Sequence, residues 1–293
     1  MWKRFALFVV FPLLLFCADA RADPLLAMSD ASTRTRLSAN RTYFVDCAHG
    51  NDGSAGDADT PWQTPVHAYD YARKNLDLGG QYSVTVRLLS SCTGQNYLAG
   101  PLVGQLTPQD FTFVGDCANP GTIRVSANGT NQNLWYAADD ARFAVRCMTV
   151  ESSDGGSGFL VSSGVLMAGD VFLRGVAANA WVDVAGPRSV FHAIGPLTFL
   201  HGGSTNIGFV AEDHGWIVLP GALVCSGAPI FGTFVQADLG GMIDASNATV
   251  THAACTGRKY NALTLGIVFT GGTRNPGFFP GNSPGVVSGG HYE

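Results

Sequence analysis

The chain has 293 residues, with 13% charged, 46% hydrophobic, 37 glycines and a formal net charge of −5. That apolar share excludes a disordered chain, and the lack of any Lys/Arg stripe excludes a phosphate-backbone partner, so no nucleic acid is expected. So few charged residues leave little helix surface to solvate. Glycine together with Val, Phe and Thr points instead to many short strands joined by tight turns.

In chain order, Lys3 and Arg4 precede a continuous apolar run of 12 residues, Phe5 to Phe16. This is too short to cross a bilayer, which takes about 20 residues. With the small residues Ala20 and Ala22 it reads as a signal peptide over residues 1–22, cleaved before Asp23. The expected product is secreted or periplasmic, with no membrane span. Cys17 admits a lipoprotein reading, but Leu14, Leu15 and Phe16 supply no small residue before it, so plain secretion is preferred. Residues 23–40 are polar and read as a lead-in.

Six cysteines remain beyond the signal: Cys47, Cys92, Cys117, Cys147, Cys225 and Cys255. An even count in an exported chain implies disulfides, and no C-x-x-C spacing suggests a metal site. Six cysteines allow 15 connectivities, which sequence alone does not choose between. If sequence neighbours pair, the bridges are Cys47–Cys92, Cys117–Cys147 and Cys225–Cys255.

A strand, Thr42 to Asp46, leads into the loop Gly50-Asn51-Asp52-Gly53-Ser54-Ala55-Gly56-Asp57. Oxygen ligands in such a loop, Asp52 and Asp57 above all, could hold calcium, the one cofactor the chain suggests. Thr64 and Pro65 then fit an N-cap and a first helical position, with Val66, Tyr69 and Ala72 on one helix face. Gly79-Gly80 ends this unit, and Tyr82 to Leu89 alternates as a strand.

Beyond this helix the pattern is a repeat. Segments beginning at Gly164, Ser189, Gly215 and Gly241 are spaced 25, 26 and 26 residues apart. Each anchor is followed by a short apolar strand, a corner of small residues and a second strand. A weaker copy runs from Arg142 to Val150. One such coil cannot bury its own apolar side, but stacked coils pair every strand and line a continuous core. The expected fold is all-β, a right-handed parallel β-helix with a short N-terminal capping helix, over residues 41–270. Residues 271–293, dense in Gly and Pro, form either a wrapped cap or a tail.

The order Tyr43-Phe44-Val45-Asp46, Gly50-Asn51-Asp52-Gly53, Thr60-Pro61-Trp62-Gln63-Thr64 and the helix after it resembles the entry motif of pectin-lyase-like β-helix proteins. The resemblance covers about 45 residues. It implies the fold and a spread of functions: polysaccharide lyases, glycoside hydrolases, and phage tailspike-like or adhesive proteins. The ending Phe279-Pro280-Gly281-Asn282-Ser283-Pro284-Gly285 with Gly289-Gly290-His291-Tyr292 resembles the close of phage-tail-related β-helix proteins, whose members are often homotrimers. The catalytic signatures Asn-Thr-Asp and Gly-His-Gly are missing, so no catalytic residue carries over.

Candidate chemistry therefore rests on the residues themselves. Glu212-Asp213-His214 is the densest titratable group in the repeats; it suits an acid/base pair or a polar corner between coils. Trp181, His192 and Trp216 fall at repeat positions where they could contact a sugar or pack inside. Asp139-Asp140 reads as a solvated turn, since adjacent strand residues face opposite ways. The expected function is binding of cell-surface or environmental polysaccharide without evident catalysis. A divergent polysaccharide lyase or glycoside hydrolase is the alternative, and a structural repeat protein without ligand a further one.

Overall fold

The computed structural model describes residues 34–153, 155–177, 179–200, 204–251 and 255–293. The signal-peptide reading and most of the lead-in lie outside the described residues. The compact unit is Thr35–Glu293.

It is a parallel β-solenoid of about eight turns, with 47% strand and 6% helix. From Val84 to Leu263 each turn contributes strands to three faces. The first face runs from Arg41–Val45 through Val84–Leu88, Phe111–Val114 and successive rungs to Ile267–Phe269 and His291–Tyr292. The third face stacks Asn96–Ala99, Trp135–Ala138, Phe159–Ser162, Ala180–Ala185, Ser204–Glu212, Ile230–Ala237, Thr256–Leu263 and Val286–Ser288. The second face joins the first around a single bend. Cys147 (φ 60°) and Asp170 (φ 57°) are left-handed inside the long strands Arg142–Ser152 and Val165–Gly175 and fold each across both faces.

The four anchors lie one above another. The amides of Val190, Trp216, Met242 and Ile267 each donate to the anchor carbonyl one rung below, all at 2.9 Å. The corner is tight enough to require glycine. A Cβ on Gly241 would sit 2.1 Å from the Ala211 carbonyl oxygen, and one on Gly215 would sit 2.3 Å from that of Val184. Ser189 replaces glycine by using its hydroxyl, which donates to the Ala185 carbonyl and accepts from the Ser163 amide, both at 2.7 Å. Inside, Phe143, Leu166, Phe191, Ile217, Ile243 and Val268 stack in register, each fully buried. Because side chains alternate along a strand, their neighbours face outward and form the surface of each face.

The ends differ. At the N-terminal end the helix Pro65–Asn75 starts at Thr64, whose Oγ1 accepts from the His67 amide at 3.1 Å. The buried helix residues are Pro65, Ala68, Tyr69 and Ala72, while Val66 is only partly buried. Tyr69 and Ala72 of the expected face are thus buried, joined by Pro65 and Ala68, and Val66 packs at the edge of that face. Ahead of it, Thr35–Arg36 pairs with Leu76–Asp77, so the lead-in carries a strand. At the other end Phe279 is fully buried against Phe234, and Tyr292 stacks on Tyr260 at 3.9 Å. Cys47–Cys92, Cys117–Cys147 and Cys225–Cys255 are bridged, each tying neighbouring turns.

Candidate functional site

The Glu212-Asp213-His214 triplet crosses the corner from the third face to the first. The Gly215 amide donates to the Glu212 carbonyl at 2.9 Å, and Asp213 (φ 50°) and His214 (φ 68°) are the two left-handed residues of that turn. Asp213 and His214 are exposed at its tip and form no ion pair with each other; the His214 ring lies over Gly240. Glu212 instead ends a third-face strand, where it pairs with Ala185 and points out from that face. The triplet is therefore split. Asp139-Asp140 occupies the same corner of an earlier rung, both residues left-handed, as the turn reading expects.

Trp181 requires a correction. It is 2% exposed and belongs to the core, its ring lying over Gly158, so it contacts no ligand from outside. His192 and Trp216 sit on the outer side of the first face, on adjacent rungs. Half-buried Met167, Val190, Val218 and Met242 surround them, and burial holds His192 below the ordinary imidazole pKa. This is an apolar strip with a half-buried histidine in it. In the entry loop, Asp52 accepts from the Gln63 and Thr64 amides through Oδ1 and from the Thr64 hydroxyl through Oδ2. Asp57 accepts from the amide and hydroxyl of Thr60. Both carboxylates are engaged in closing the loop, and no group of three or more metal-ligating residues occurs among the described residues.

The residue that sequence reading missed is Asp183. Val182 and Val184 face the core, so Asp183 between them faces out on the third face, below Val210 and one rung under Glu212. It is nevertheless only 5% exposed. Its Oδ2 accepts from Asn179 Nδ2 at 2.6 Å and, more weakly, from Ser157 Oγ at 3.4 Å; its Oδ1 has no partner. Burial, then the nearby Glu212 charge, push its pKa up to about 6. Burial also raises Glu212, with Asp213 and Asp238 adding to the effect. None of these four carboxylates is ion-paired among the described residues.

The same outward column continues toward the N-terminal end as Leu160, Tyr136 and Tyr97. Tyr97 is 45% exposed and stands edge-on to Tyr136, with ring centroids 4.9 Å apart. Tyr136 shares a hydrogen bond of 2.9 Å with Ser162, and Asp139 lies beside Tyr97. At the spacing of paired strands, Tyr97 and Asp183 are about 14 Å apart along the axis. The result is a shelf on one face, with aromatic rings at one end and an acid pair at the other. Its signals in the sequence were present, but the pairing of residues so far apart in the chain was not.

No protein-family model, curated protein or solved structure matches this chain.

Proposed function

We propose that this protein binds a neutral polysaccharide laid along the third face. The observation that carries the reading is the shelf itself: Tyr97 and Tyr136 offer ring faces and edges to sugar C–H surfaces, and Ser162 and Glu212 offer polar groups in line with them. Four unpaired carboxylates nearby would repel a uronate chain, which argues for a neutral glycan. The entry motif resembling pectin-lyase-like proteins and the three disulfides agree with an exported, glycan-directed role.

Affinity electrophoresis of the mature protein in gels containing glucan, galactan, mannan or polygalacturonate tests the reading. Retardation by a neutral polymer, weakened about three- to tenfold in Tyr97→Ala, is the expected result. Retardation only by polygalacturonate, or none by any polymer, would overturn it.

A second reading, glycoside hydrolysis, is favoured by Asp183. A carboxyl with its pKa pushed up to about 6, one rung below a second carboxyl that burial also raises, supplies the two carboxyls a glycosidase uses. Release of new reducing ends, lost about a hundredfold or more in Asp183→Asn and Glu212→Gln, would establish hydrolysis; a flat time course would leave binding alone.

A further inference from the structure

A cleft of about 400 Å³ opens at the bend between the first and second faces, away from the third. Its floor and walls are Phe172, Pro120, Pro196 and the Cys117–Cys147 bridge, and its polar edge is Arg146, Asp170 and Thr198. The rungs build it directly. Phe172 pairs with Thr198 on the outer side of the second face, and the disulfide holds the loop that carries Pro120 over the rung below. The left-handed bend at Asp170 turns its carboxylate to Arg146, whose Nη2 donates to Oδ2 at 2.7 Å. Gly195 leaves this carboxylate uncovered, since a Cβ there would lie 3.2 Å from Asp170 Oδ1. Both partners are partly open to solvent, with side-chain exposures of 45% and 34%.

A surface ion pair alone would be a structural link between rungs, and such a link is weak. Here it borders an apolar floor of ligand size, and the combination has a definite complement. Two adjacent hydroxyls on a sugar ring can donate to Asp170 and accept from the remaining Arg146 N–H groups, while the ring's C–H face rests on Phe172. Because Arg146 and Asp170 neutralise each other, an anionic ligand gains little here. We propose that this cleft is a second saccharide site, separate from the third-face shelf, which takes one neutral sugar ring through a vicinal diol. The inference stands on the cleft's own chemistry and does not depend on the shelf.

Saturation-transfer NMR with the full mature chain and the methyl glycosides of glucose, galactose and mannose tests it. At least one should bind in the millimolar range, with ring protons saturated. Asp170→Asn, a substitution that tolerates the left-handed backbone, and Arg146→Met, which keeps the aliphatic stem, should each weaken binding about tenfold or more at unchanged Tm. Tyr97→Ala should leave this binding intact, separating it from the shelf. No saturation transfer from any of the three glycosides would overturn the proposal. So would binding that survives both Asp170→Asn and Arg146→Met, or binding that disappears in Tyr97→Ala.

Discussion

Asp183 shows how one side chain can set a pH dependence. Its folded pKa of about 6 lies above the 3.8 of an ordinary aspartate. The unfolded chain therefore loses this proton first, and stability falls as pH rises from about 4 to about 6 and stays low above that. A shift of roughly two pH units corresponds to about 2 to 3 kcal/mol. Asp183→Asn should accordingly stabilise the protein by up to that amount at pH 8 and give no gain at pH 3.5. Urea unfolding at the two pH values reads this directly; an equal effect at both would show that the carboxyl is not held protonated by its surroundings. The anchor glycines make a second residue-scale case. Gly241→Ala should cost more than about 2 kcal/mol, because its methyl meets backbone rather than a mobile side chain. Gly121→Ala, with nothing within 4 Å, should stay within about 0.5 kcal/mol of the parent.

At the scale of elements, the helix was legible because its determinants are local, whereas the neighbour pairing of the cysteines was one of 15 connectivities open to the sequence, and the fold selected it. Thr64-Pro65 announces a helix start in any context. Each bridge joins cysteines adjacent in the sequence because neighbouring turns are what a coil of this period brings together. The Cys117–Cys147 bridge closes a separation of 30 residues, so replacing both with Ser should lower stability by about 3 to 4 kcal/mol. It should also loosen the Pro120 wall of the cleft, and chemical denaturation alongside hydrogen exchange at residues 116–122 would separate the two effects. The early rungs at Val84–Leu88 and Phe111–Val114 were less legible as repeats, because long loops separate them and blur the spacing.

For the whole molecule, the stacked anchors imply that rungs are interchangeable units whose stability comes from neighbours. Residues 190–215 form one complete turn, from just after Ser189 through Gly215, and contain no cysteine. Their deletion joins Ser189 to Trp216 in register. The shortened chain should remain soluble, keep its β-sheet circular dichroism and unfold cooperatively at a lower Tm. Deleting half of that turn, residues 190–202, reverses which strand of the next rung meets which face and should abolish folding. If the two deletions behaved alike, the turns would not be modular.

The amino-acid order by itself determined the coil, its period, the corner glycines and the capping helix, since each follows from spacing along the chain or from the conformational demand of one residue; which cysteines pair was decided by the stacking of the turns. Which outward residues share a face was decided only by the stacking. Trp181 and Trp216 look alike as aromatic residues at repeat positions, yet Trp181 lies in a third-face strand and packs inside, whereas Trp216 stands half outside on the first face. Glu212 was visible as part of a charged triplet, but its partner is Asp183 on the rung below rather than His214 two residues on. Winding the chain brings together groups about one turn apart, and only the register of the parallel strands says which groups those are.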